Sequence, residues 1–133
     1  MSSDRLRNAP SLRPCPHRPN CVSSLASRED QYVAPFDNAE PSDMDTLKTV
    51  LEEMDRCSVV EAGPTYLRAE CKSRFLGLID DLELLLDVES KVIHVRSASR
   101  IGYSDLGVNR RRVEALKSRF RQRRKATRLP AGG

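Results

Sequence analysis

The first hydrophobic rhythm lies in "PSDMDTLKTVLEEMDRC", residues 41–57, where Met44, Leu47, Leu51 and Met54 recur with Val50 beside them. Side chains three or four apart share one helix face, so the spacing predicts an amphipathic helix over about 43–56. Lys48, Glu52, Glu53 and Asp55 fill the opposite face, and Ser42 stands where an N-cap belongs. Beyond Cys57 the period drops to two. "CSVVEA" ends at Gly63-Pro64, and "TYLRAECKS" sets Leu67, Ala69 and Cys71 against Tyr66, Arg68 and Glu70. "LIDDLELLLDV" sets Leu82, Leu84 and Leu86 against Asp81, Glu83 and Leu85, and "KVIHVRSAS" sets Ile93 and Val95 against His94 and Arg96. Alternation with short connections predicts an antiparallel meander with one covered face. The last rhythm is a narrow helical stripe, Val113, Leu116 and Phe120, starting near Asn109 as N-cap and running to about residue 125.

These elements predict an α+β fold: a meander of about four strands, with two helices covering one sheet face and the other face left wet. The apolar sheet face is the only large surface on which both helical stripes can be buried. One sheet face then gathers Arg68, Glu70, Asp81, Glu83, His94 and Arg96. Ahead of the first helix, "APSLRPCPHRPNC" holds four prolines, which fix φ and donate no hydrogen bond, so this arm reads as irregular. The expected organisation is a flexible tail over 1–13, a single domain over 14–125 and a second tail over 126–133.

The net charge of +4 conceals a split. Residues 29–94 carry sixteen acids against six bases, whereas residues 109–128 carry ten bases against Glu114 alone. A basic end on an acidic body attracts nucleic acid, acidic lipid or an acidic partner, or lies against its own acids. No apolar run nears the roughly 18 residues that span a bilayer. The first ten residues lack the apolar core of a secretory leader, which makes a cytoplasmic protein the expectation, with a plastid or other compartment still open.

The segment "RSASRIGYSDLGVNRRR", residues 96–112, joins the last strand to the last helix and carries the densest chemistry. Gly102 and Gly107 permit left-handed turns and close approach to backbone. The amides of a helix start carry partial positive charge, Arg96, Arg100 and Arg110 add guanidiniums, and Tyr103 and Ser104 add hydroxyls. Together with Asp105 and Asn109, these residues are the candidate ligand site, suited to a phosphate or carboxylate. No nucleotide-binding loop motif is present. The opposing reading is scaffold: Asp105 folds the loop, Asn109 caps the helix, and Arg100 pairs with Asp80 or Asp81.

The same segment, extended through Leu116, together with "CPHRPNCVSS" and "FLGLIDDLELLLD", resembles the family described as domain of unknown function 1499, over residues 14–120. The resemblance implies no established activity, cofactor or catalytic residue. It implies that many relatives are secreted or membrane-attached, and it marks Arg96, Ser97, Ser99, Arg100, Gly102, Tyr103, Ser104, Asp105, Gly107, Asn109 and Arg110 as motif positions without a role.

Cys15 and Cys21 flank His17, a spacing compatible with simple packing, a disulfide, a partial metal site or a Cys–His nucleophile. Three close ligands fall short of a closed zinc site. Cys57 and Cys71 read as buried thiols. An enzyme would rest on Asp81, Glu83 and His94, but carboxylates on an open face keep ordinary acidities. The leading functional reading is therefore a binding or interaction module with an anion-accepting connector. Nucleic-acid or ribosome association through residues 109–125 is the alternative, although that helix offers Phe120 as its one aromatic.

Overall fold

The computed structural model describes residues 11–74 and 77–128. Of the expected tails at 1–13 and 126–133, residues 1–10 and 129–133 lie outside the described residues, whereas 126–128 continue the last helix. Five strands form one antiparallel sheet: β1 Cys21–Ser23, β2 Cys57–Ala62, β3 Tyr66–Lys72, β4 Ile79–Asp87 and β5 Val92–Ser99. They lie in the order β1-β5-β4-β3-β2. Two helices, α1 Ser42–Glu53 and α2 Val108–Arg128, pack on one face, which makes the fold α+β as the alternation implied.

The strand missing from the sequence reading is β1. It is three residues long and follows directly on the proline-rich arm, too short for any alternation to register. Its register with β5 is Cys21↔Ala98, Val22↔Ser97 and Ser23↔Arg96. β2 carries a bulge between Val59 and Glu61, where two residues oppose one and the strand bends.

The covered face is built by the residues that the alternation placed there. Leu67, Ala69, Cys71, Leu82, Leu84, Ile93 and Val95 are buried beneath Met44, Leu47, Val50 and Leu51 of α1 and Val113, Leu116 and Phe120 of α2. Each full burial of such a leucine contributes roughly 1.5–3 kcal/mol. Phe36 closes the layer edge-on to Phe120, with ring centroids 5.4 Å apart.

The helix ends differ from expectation. Ser42 is the first residue of α1 and not its cap; Pro41 holds that position without a side-chain bond, and Asp43 Oδ2 instead accepts the Glu40 amide at 2.7 Å. α1 stops at Glu53 because Met54 is extended and Arg56 takes φ 65°, which turns the chain into β2. α2 starts one residue before Asn109 and runs past 125, its far end tied down by Arg124, which reaches the Asn38 carbonyl and Asp43.

The second sheet face is not uniformly wet. The arm crosses β5, where Arg96 Nη2 donates to the Pro14 carbonyl, and Glu83 and Arg96 are only 7% and 5% exposed. Both cysteine pairs are disulfides, Cys15–Cys21 and Cys57–Cys71. The reading of Cys57 and Cys71 as thiols is corrected by the register of the hairpin, which sets them directly opposite one another.

Candidate functional site

Apart from Arg96, which lies within β5 opposite Glu83, the residues named for the connector gather beyond one end of that strand, and most of their polar groups are committed internally. Asp105 is the organiser. Its Oδ1 accepts the Gly107 amide at 2.8 Å, and its Oδ2 accepts the Asn109 amide at 3.1 Å and Asn109 Nδ2 at 2.8 Å. Its carbonyl accepts the Val108 amide. A carboxylate at a helix N-terminus satisfies both the free amides and the dipole. The anion held at this helix start is thus the protein's own Asp105. Gly107, at φ 82°, lets the chain turn beneath that carboxylate; a Cβ there would stand 2.9 Å from Arg111 Nη1.

Asn109 is not the N-cap. It is fully buried and serves as a hub. Its Oδ1 accepts Ser97 Oγ at 2.5 Å and Arg112 Nη1 at 3.0 Å, while Nδ2 also donates to Ser99 Oγ and the Asn20 carbonyl. Helix start, β5 and arm meet at this one amide. The arm is tied in twice more, by Asn20 Nδ2 to the Gly102 carbonyl at 2.8 Å and by the Asp105 amide to the Pro19 carbonyl.

The three guanidiniums are partnered as well. Arg100 binds Asp81 through Nε at 2.8 Å and Glu70 through Nη2 at 2.6 Å, so its charge sits on the open face of the sheet. Those bonds, to Asp81 above all, raise the Arg100 pKa and hold the Asp81 carboxyl below its ordinary range. Arg96 lies 3.6 Å from Glu83, and burial lowers its pKa. Arg110 donates to the carbonyls of Asp30 and Tyr32 at 2.9 and 3.0 Å. Those carbonyls satisfy its N–H groups, and the Asp30 carboxylate, held chiefly by Arg28, feels its charge only weakly.

The carboxylates and histidine of the catalytic reading are engaged too. Glu83 accepts Tyr66 Oη at 2.6 Å, and burial, then that carboxylate, push the Tyr66 phenol up. Arg68 adds to the grip on Asp81 at 3.2 Å, and His94 Nδ1 lies 3.0 Å from Ser24 Oγ. A carboxylate held anionic by two guanidiniums makes a weak proton acceptor. Among the described residues, no group of three or more His, Cys, Asp or Glu is placed to hold a metal ion.

Helix α2 is less open a cationic strip than its sequence implies. Arg112 binds Asp80 at 2.7 Å, Arg123 binds Glu53, Arg124 lies 3.5 Å from Asp43, and Lys117 donates to the Ala34 carbonyl. Among the described residues, three of the ten basic residues of 109–128 are therefore paired with the acidic body.

What the end of the sheet does present is apolar. Ile101, Tyr103 and Leu106 are 61%, 69% and 83% exposed, and Tyr32 beside Arg110 is 43% exposed. Tyr103 lies close to Arg28, whose pKa is raised chiefly by its bonds to Asp30 and in smaller part by Tyr103. Ile101, Leu106 and Tyr32 fit no polar motif and carried no weight in the sequence reading. A conspicuous signal was available, namely large apolar residues inside a glycine-bearing loop.

Fold and corner together define a small α+β domain whose last strand-to-helix corner is locked by side-chain hydrogen bonds and tipped with apolar groups. The chain belongs to the family described as protein of unknown function DUF1499, whose model matches residues 11–120. No curated protein and no solved structure matches the chain.

Proposed function

We propose that this domain is an interaction module that docks through the apolar corner of Tyr32, Ile101, Tyr103 and Leu106 onto a partner protein with an apolar centre and an acidic rim. One observation carries the reading. Four of the seven large apolar side chains most exposed among the described residues lie on this corner, on a backbone fixed by Asp105 and Asn109. Contiguous exposed apolar groups mark contact surfaces, and a rigid display lowers the entropy lost on docking. Tyrosine and arginine are the residues most enriched where interfaces hold. Arg110, whose hydrogen bonds go to carbonyls and whose nearby Asp30 is already bound by Arg28, and Arg111 beside it favour carboxylates opposite. A second copy in two-fold contact would set these arginines against each other, which favours a different chain as partner.

The test places a photo-crosslinking side chain at Leu106 in the producing cell, with Val88 as control. Val88 is 56% exposed but sits in the β4–β5 turn, at the opposite end of β5. The expected result is one discrete heteroprotein adduct from position 106, absent from position 88 and lost in Tyr103→Asp. Adducts only to lipid, only to a second copy, or equally from both positions overturn the proposal.

No helix among the described residues is long and apolar enough to cross a membrane. As to compartment, the two disulfides support an oxidising one over the cytoplasm, because thiols there are kept reduced. Titration of thiols on protein trapped directly from cells tests this; four free thiols would overturn it.

A further inference from the structure

Beside the corner, the arm and the segment after β1 enclose a cavity of about 210 Å³. Arg13, His17 and Arg28 line it, with the hydroxyls of Ser23 and Ser27 and the apolar side chains of Leu12 and Leu25, and no acid is among its lining residues. We propose that this cleft binds a phosphate group, either free or carried as a monoester on a small organic body. The site goes beyond the docking surface proposed above and does not depend on it.

Electrostatics supply the first argument. Arg13 holds no partner among the described residues, and it stands close enough to Arg96, on the cleft's sheet side, to help lower that residue's pKa, after burial. Arg96 Nε is buried and without a hydrogen-bond partner, Glu83 at 3.6 Å is shared with Tyr66, and Asp81, which also acts on Arg96, is already bound by Arg100 and Arg68. Arg28 meets Asp30 outside the lining through Nε and Nη2 at 3.2 and 3.1 Å, and that bond uses only part of its fork. Cations gathered without equal countercharge repel one another, and an anion between them relieves the repulsion. Two guanidiniums and an imidazole with neighbouring hydroxyls match the several acceptor oxygens of a phosphate better than the two of a carboxylate.

Preorganisation supplies the second. The arm wall is fixed before any ligand arrives, by the Cys15–Cys21 disulfide and by Gln31 Nε2, which donates to the carbonyls of Pro16 at 2.7 Å and Arg18 at 3.1 Å. Gln31 is itself buried, so the brace is internal. Ser23 Oγ accepts the Leu25 amide at 3.1 Å, which leaves its own hydrogen free to point at a guest. Leu12 and Leu25 offer a short apolar wall beside the charged groups, room for the small body of an ester and too little for a polymer.

The experiment is an amide-resolved NMR titration of the full chain with inorganic phosphate and, separately, phenyl phosphate, at ionic strength held constant with chloride. The expected result is saturable shifts confined to residues 12–17 and 23–28, at about millimolar concentration or below. Arg13→Gln and Arg28→Gln each weaken binding about tenfold, and thermal unfolding is unchanged because both side chains are exposed. Arg119→Gln, on exposed α2, leaves it intact. Tighter binding of phenyl phosphate identifies an ester as the guest, and equal binding identifies the free ion. Non-saturable shifts, or equal weakening by Arg119→Gln, would mean general charge attraction and overturn the proposal.

Discussion

Replacing Asn109 by alanine removes five hydrogen bonds at a fully buried position, and the neighbours differ in what they lose. Asp105 keeps its two amide donors, and Arg112 keeps Asp80. The Asn20 carbonyl keeps the Ser99 amide. The Ser97 hydroxyl keeps nothing, because the residue is fully buried and Asn109 Oδ1 is its partner among the described residues. A stranded buried donor costs about 1–3 kcal/mol, and the lost bonds and the amide-sized void add to it, for a sum near 3 kcal/mol. At about 4 °C per kcal/mol for a domain of this size, the melting temperature falls by about 12 °C. Urea unfolding followed by circular dichroism measures the loss directly. Ser97→Ala in the Asn109→Ala background then restores about 1 kcal/mol, since it removes the stranded hydroxyl. A loss below about 1 kcal/mol, or no recovery in the double variant, would refute the hub assignment.

Three further outcomes follow from the packing and the charges. Leu82→Ala, at a fully buried position on β4, should cost about 2–5 kcal/mol in the same urea assay. The folded Asp81 carboxyl lies below its ordinary range, so its contribution is complete above about pH 4 and is lost as pH falls through the folded value; Arg100→Gln should flatten that acid-side decline in the urea midpoint. Replacing Cys15 and Cys21 together by serine opens a loop with a sequence separation of 6, which costs about 2 kcal/mol by chain entropy and should also abolish phosphate-induced shifts in the arm.

The parts of this fold legible in the sequence are those where burial is one-sided. Leu82, Leu84 and Leu86 alternate with Asp81 and Glu83 because β4 is covered by helices on one face and charged on the other. The three-residue β1 offers no period to read. The helix caps were misplaced because the capping atoms belong to other residues: Asp43 reaches back to Glu40, and Asp105 takes the place foreseen for Asn109. The corner was found by composition, and Asp81 was foreseen as a partner of Arg100, but the other partners were not. Arg100 meets acids 19 and 30 residues away, and Arg110 meets carbonyls about 80 residues away. A backbone carbonyl leaves no trace in the sequence, so nothing there separates a bound arginine from a free one. Arg13 went unread, and His17 was weighed only beside the cysteines, because their arrangement depends on the fold of the arm, which follows no period. The Cys57–Cys71 pairing was within reach, since the hairpin register sets the two residues opposite each other.

The two flanks of the sheet also bear on how this protein behaves when crowded. A straight, bare outer strand invites another chain to add to it and seed a fibril. Here one flank is only three residues long, and the other is bent at Val59–Glu61, which throws its amides and carbonyls out of line for any newcomer. The kink that looks like an irregularity of β2 is thus a guard against runaway stacking. Straightening it by deleting Val60 would be expected to leave a domain that clumps at concentrations the parent tolerates.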